Sequence, residues 1–138
     1  IGIAIDTSYG LIVPNIKNAN KKSIFEISEE VKELANLANK RRLKNDQLVG
    51  ATFTISSLSG VGGKYFTPII NPPEVGILGL SKTYDSLQLD NLKLQTTNQL
   101  PLSLSYDHRV INGVYAIKFL NELNKQLNDI NFLESSFK

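Results

Sequence analysis

The chain has 138 residues, 41% of them apolar and 20% charged, which is one domain's worth of a globular composition and argues against intrinsic disorder. Fifteen basic against thirteen acidic residues leave a net charge of +2, too balanced to mark a nucleic-acid face, and no apolar run approaches the ~18 residues of a membrane span. With no cysteine, disulfides, thiolate metal sites and cysteine nucleophiles are excluded, and the single His108 cannot build the imidazole cluster of a cysteine-free zinc site, so no metal is expected.

The sequence starts at Ile1 and lacks methionine, so a fragment is expected. Ile1 to Ile5 reads as a strand, Asp6 and Thr7 as a turn, and Gly10 to Lys17 as a second strand in which Pro14 marks an edge or a kink. Ser23 followed three residues later by Glu26 is a capping box, and Ile27, Val31, Leu34, Ala35 and Ala38 recur at helical spacing. These predict an amphipathic helix over about 24–40, with Glu29, Glu30, Lys32 and Glu33 on its solvated face.

A basic connector leads to a β-type run from Ala51 to Ile55 and then to the small-residue segment Ser56-Ser-Leu-Ser-Gly-Val-Gly-Gly63, whose backbone can approach a ligand closely. It is not a phosphate loop. The glycine expected five residues before Gly63 is Leu58, and Tyr65 stands where Ser or Thr should follow Lys64. Val75 to Leu80 reads as a strand. Leu87 and Leu89, then Leu92 and Leu94, flank Asp90-Asn91 as a two-residue hairpin would, and Leu100, Leu102 and Leu104 alternate up to Tyr106-Asp-His-Arg109. Ala116, Leu120, Leu123 and Leu127 predict a helix over about 113–128, followed by a weakly ordered tail. Strands mixed with two helices give an α+β, mixed-sheet layer architecture.

A histidine at a strand-to-helix junction can simply bond local backbone. It can also act as a general base, because an unperturbed imidazole takes a proton from a thiol or hydroxyl near neutral pH. No Gly-x-Ser-x-Gly elbow supports a serine hydrolase. A base plus one hydroxyl aimed at a developing oxyanion suffices when the substrate brings its own nucleophile, and Ser56, next to the glycine loop, is the candidate donor.

These residues fall into a known pattern. Asp107-His-Arg-Val-Ile-Asn-Gly113 resembles the Asp-His-Arg-x-x-Asp-Gly motif of the dihydrolipoyl acyltransferase components of 2-oxo acid dehydrogenase complexes. Phe53-Thr-Ile-Ser-Ser57, Ile70-Asn-Pro-Pro-Glu-Val75 with Ile77-Leu-Gly-Leu-Ser-Lys82, and Asp6-Thr with Gly10-Leu-Ile-Val-Pro14 resemble that family's other blocks, in its order and approximate spacing. The Pro-Glu-Val and Ser-Lys patterns are most similar to the pyruvate-type members.

The resemblance runs from Ile1 to the last helix. It implies a chloramphenicol-acetyltransferase-like fold, incomplete at its N-terminal end, with residues 1–138 forming the C-terminal part of one catalytic domain and the lipoyl and subunit-binding domains lying outside the chain. The implied chemistry is transfer of an acetyl group between dihydrolipoamide and coenzyme A by direct thiol attack on a thioester. His108 would be the base and Ser56 the oxyanion donor. Asp6, Ser56, Ser57, Ser81 and Lys82 would border coenzyme A, the Lys82 ammonium suiting its phosphates.

The family's second aspartate is Asn112 here. It keeps a hydrogen-bonding oxygen without the charge and is also a good helix N-cap.

The implied partners are the protein's own lipoyl domain, the 2-oxo acid decarboxylase and dihydrolipoyl dehydrogenase. Homotrimers would assemble into a larger core, with His108 and Ser56 meeting across chains. The expected compartment is the bacterial cytoplasm, with the mitochondrial matrix as alternative. Two competing readings remain: a noncatalytic scaffold subunit of the same complex, disfavoured because His108 is retained, and a chloramphenicol-type acetyltransferase, disfavoured by the Pro-Pro-Glu-Val and Ser-Lys blocks.

Overall fold

The computed structural model describes residues 1–90 and 93–137. Strand β1, Gly2–Thr7, turns back into the short β2, Gly10–Ile12. Asp6 and Thr7, expected in the turn, belong to β1 and pair with Leu11 and Gly10. The reason is local: the Thr7 hydroxyl donates to the Gly10 carbonyl at 2.8 Å and accepts from the Tyr9 N–H at 3.1 Å, which closes the turn at Ser8 and Tyr9. β2 is also shorter than expected. Beyond it contact with β1 continues irregularly, through the Ile3 N–H to the Pro14 carbonyl at 2.8 Å and an isolated bridge between Gly2 and Asn15.

Helix α1, Ile24–Asn39, starts at the expected capping box, in which the Ser23 hydroxyl accepts from the Glu26 N–H and the Glu26 carboxylate accepts from the Ser23 N–H. Its inward stripe buries Leu34 and Ala38. β3 is Thr54–Ser57 and β4 is Gly76–Leu80. Ser56 and Ser57 are thus strand residues rather than loop residues, because parallel pairing to β4 continues as far as Ser57 opposite Leu80.

β5, Tyr84–Asp90, and β6, Lys93–Gln99, form a separate two-stranded hairpin. Asp90, expected in its turn, pairs with Lys93, and the expected turn residue Asn91 and strand residue Leu92 lie outside the described residues. Leu87, Leu89 and Leu94 are exposed on this hairpin. β7, Leu102–Tyr106, returns to the main sheet, and α2, Gly113–Leu127, follows. The tail is helical rather than weakly ordered: α3, Ile130–Ser136, is capped by the Asp129 carboxylate, which accepts from the Asn131 and Phe132 N–H groups at 3.0 and 3.2 Å.

The main sheet has the order β2-β1-β3-β4-β7, with β1, β3 and β4 parallel and the two outer strands antiparallel. Mixed sheet and helices together make the expected α+β architecture. Close packing fixes two of its glycines. A Cβ on Gly79 would stand 2.7 Å from the Phe66 ring, and one on Gly76 would stand 3.0 Å from Phe53. The room left at Gly76 lets Phe53 meet Phe119 of α2 with ring centroids 5.8 Å apart. Large apolar side chains stay exposed on α2 and α3, including Val114, Tyr115, Ile130 and Phe132.

Candidate active site

Because β1, β3 and β4 are parallel, their carboxyl ends share one edge of the sheet, where ligands of such sheets commonly bind. Ala4, Ser56, Gly79 and Ser103 form one register row across four strands. Asp6 lies two residues beyond Ala4, Ser57 follows Ser56, and Ser81 and Lys82 follow Leu80 at the end of β4. All five residues expected at coenzyme A therefore gather at this edge.

Their environments differ. Asp6, Ser57 and Lys82 are exposed and Ser56 is half-buried. The Ser57 hydroxyl lies 2.9 Å from that of Ser59, and the Leu58 N–H donates to the Leu80 carbonyl at 2.8 Å, tying the small-residue loop to β4. The Lys82 N–H donates to the Gly63 carbonyl at 3.3 Å. Ser81 is 1% exposed, and its hydroxyl has no hydrogen-bond partner among the described residues. Such an orphan costs roughly 1–3 kcal/mol unless something else bonds it.

His108 lies at the other end. β7 runs antiparallel to β4 and ends with Tyr106 opposite Gly76, the first residue of β4. The Asp107 N–H donates to the Val75 carbonyl at 2.9 Å, and the chain then turns, with the Val110 and Ile111 N–H groups donating to the Asp107 carbonyl at 3.0 and 2.9 Å. The Asp107 carboxylate accepts the Arg109 N–H at 3.0 Å and grips the Arg109 guanidinium in a fork, Nε at 2.9 Å and Nη2 at 2.6 Å. The Arg109 side-chain hydrogen bonds, followed by its N–H, bring the Asp107 carboxyl down from 3.8 to about 2. The same pairing raises the Arg109 guanidinium.

This clamp holds a turn with His108 at its apex. The imidazole is exposed, makes no hydrogen bond among the described residues, and lies 5.7 Å from the Tyr106 ring, centroid to centroid. Asn112 closes the turn as the N-cap of α2, its Oδ1 accepting from the Tyr115 N–H at 2.9 Å. Sequence reasoning missed the clamp. Its signal was the Asp-x-Arg spacing around the histidine, which suits a carboxylate folding back onto the N–H two residues on.

The structure thus brings Asp6, Ser56, Ser57, Ser81 and Lys82 together, and His108 with Asn112 together, but does not join the two groups within one chain. No group of three or more His, Cys, Asp or Glu residues that could hold a metal occurs among the described residues. None of their helices is long and apolar enough to cross a membrane.

The comparisons with known proteins agree in direction. Over 129 residues, 94% of the chain, it is 52% identical to the dihydrolipoyllysine-residue acetyltransferase component of the pyruvate dehydrogenase complex of Cupriavidus necator, and spans 23% of that relative's length. It superposes with a TM-score of 0.89 and 49% identity on the Azotobacter vinelandii dihydrolipoamide acetyltransferase, covering 94% of this chain and 53% of that one. That structure comes from an investigation of a serine, a histidine and an asparagine in the enzyme's catalytic mechanism; its histidine follows the serine by 52 positions and its asparagine follows the histidine by four. A second structure, the cubic core of the pyruvate dehydrogenase multienzyme complex, matches with a TM-score of 0.89 and 50% identity over 94% of this chain and 53% of that one. The chain therefore spans about a quarter of the first relative and about half of each solved chain. The catalytic-domain family of the 2-oxoacid dehydrogenases acyltransferase matches residues 1–134, and the chain belongs to that family.

Proposed function

We propose that this chain supplies the C-terminal part of an acyltransferase catalytic domain that moves an acetyl group between dihydrolipoamide and coenzyme A. One observation carries the reading: the only histidine stands exposed and without a hydrogen bond on a turn clamped by Asp107 and Arg109. A base that must meet an incoming thiol needs that combination of a free nitrogen and a fixed position. Support also comes from spacing. His108 follows Ser56 by 52 positions and Asn112 follows His108 by four, as in the Azotobacter enzyme, so asparagine at this place is shared with a working acetyltransferase.

In the forward step the imidazole of His108 takes the proton of the coenzyme A thiol. The thiolate sulfur attacks the thioester carbonyl carbon of acetyl-dihydrolipoamide, and the Ser56 hydroxyl donates to the tetrahedral oxyanion. Collapse breaks the bond to the dihydrolipoamide sulfur, which leaves with the proton from the imidazolium. Losing a donor comparable to Ser56 costs on the order of 3 kcal/mol in other enzymes. Asn112 keeps the histidine turn joined to α2. At the other edge, the orphan Ser81 hydroxyl would hydrogen-bond the pantetheine arm, and Lys82 would meet a phosphate.

Ser56 and His108 stand at opposite ends of one sheet, so the working site takes them from two copies of the chain, in a homotrimer that builds a larger core such as the cubic one of the matched structure. The lipoyl group arrives on a domain outside residues 1–138, and the 2-oxo acid decarboxylase and dihydrolipoyl dehydrogenase are the partner enzymes. The bacterial relatives favour the cytoplasm as the compartment. The test is acetyl transfer to coenzyme A by the assembled protein. His108→Ala should abolish it to within background and Asn112→Asp should retain it; an unchanged rate in the first variant removes the base.

A further inference from the structure

The clamp of Asp107 and Arg109 fixes the backbone of the histidine turn, yet it leaves the imidazole two side-chain bonds about which to rotate. His108 makes no hydrogen bond among the described residues, so no donor or acceptor there orients its ring. A base works only when its nitrogen is aimed at the proton it removes. The aim of the imidazole therefore has to come from a contact other than the clamp.

Tyr106 is placed to supply it. This residue ends β7 opposite Gly76 of β4, and its ring centroid lies 5.7 Å from that of His108 with the ring planes tilted by 38°. Aromatic pairs attract one another in tilted arrangements with centroids roughly 4.5 to 7 Å apart. The Tyr106 ring is itself anchored. Its body lines an apolar cavity of about 160 Å³ between the sheet and α2, together with Phe53, Ile111 and Tyr115. Its hydroxyl stands at the start of α2, where a Cβ on Gly113 would come within 3.4 Å of it. Tyr106 thus reaches from the end of β7 to the first residue of α2, across the base of the 107–112 turn, and the imidazole rests against it.

We propose that Tyr106 is a positioning residue for acyl transfer: its ring sets the orientation of the His108 imidazole toward the incoming thiol, while Asp107 and Arg109 set the place of the turn. This rests on the acyltransferase reading. The two devices divide the task, one acting on backbone and the other on side chain. The working part of Tyr106 is the ring rather than the hydroxyl, which lies toward α2 and away from the imidazole contact.

The test pairs Tyr106→Met, which fills the space without a ring, with Tyr106→Phe, which keeps the ring without the hydroxyl. Acetyl transfer by the assembled protein is measured with varied coenzyme A, and solid-state NMR of the unmodified assembly labelled in histidine and tyrosine looks for carbon–carbon contact between the two rings. Tyr106→Met should lower kcat about tenfold with KM for coenzyme A unchanged, and Tyr106→Phe should recover the rate. The ring contact should be present and should vanish in His108→Ala. An unchanged kcat in Tyr106→Met, an equal loss in Tyr106→Phe, or no ring contact overturns the proposal; if Tyr106→Met does not assemble, the ring contact and the Tyr106→Phe rate decide. Should the unmodified protein transfer acetyl groups while Tyr106→Met is as fast, the acyltransferase reading stands and only the positioning role falls. Should the ring contact be present without any acetyl transfer, that reading fails and takes the positioning role with it.

Discussion

Ser56 and His108 occupy opposite ends of one sheet. Ser56 shares a register row with Ser103, whereas His108 lies five residues further along the chain, past Tyr106 opposite the start of β4. At a rise of about 3.3 Å per residue, the three strand steps from Ser103 to Tyr106 alone separate them by about 10 Å, too far for a hydrogen-bonded relay. In the proposed reading a second copy supplies the missing half, and each copy then contributes to two sites.

With His108 as the proposed base, the clamp beside it should matter for rate more than for affinity, because Asp107 and Arg109 position the turn that carries it. Arg109→Ala is expected to lower kcat by roughly ten- to a hundredfold through loosened positioning, with KM for coenzyme A nearly unchanged. Arg109→Lys keeps the charge but not the two-pronged geometry and should recover only part of the loss. Steady-state kinetics with varied coenzyme A separates the two parameters.

The same clamp has a pH signature. The Asp107 carboxyl is held at about 2, below its ordinary 3.8, by the Arg109 side chain first and then by the Arg109 N–H. A depressed folded value means that the pair's contribution is complete above about pH 4 and disappears as the pH falls through the folded value. Isotope-edited infrared titration of the Asp107 carboxyl should give a midpoint near 2, moving up toward 3.8 in Arg109→Ala. A midpoint that ignores the substitution contradicts the clamp.

Gly79 sits in the register row of Ser56, and a Cβ there would press into Phe66 at 2.7 Å. Gly79→Ala should destabilise the protein by about 1–3 kcal/mol, as overpacking does in a filled interior. Denaturant unfolding measures this, and acetyl transfer should fall with it if Ser56 shifts.

The elements legible in the sequence were those whose ends and faces are chemically marked. The capping box at Ser23 and Glu26 and the spacing up to Ala38 fixed α1, and the alternation of Leu102 and Leu104 marked β7. Helix α3 was hidden because it is seven residues long, too short for a periodicity, although Asp129 is a good cap. Asp6 and Thr7 read as a turn because only the Thr7 hydroxyl, bonded across to Gly10, extends the pairing that far. His108 stood out as the only histidine of the sequence.

The shared-site account is tested most directly by mixing two inactive proteins. His108→Ala and Ser56→Ala chains are assembled separately and then co-assembled from dissociated subunits, and acetyl transfer to coenzyme A is compared. If His108 of one copy works with Ser56 of another, mixed assemblies regain sites with both groups intact, and activity returns well above either parent. Activity no higher than the parents' average, in assemblies verified to contain both chains, contradicts it.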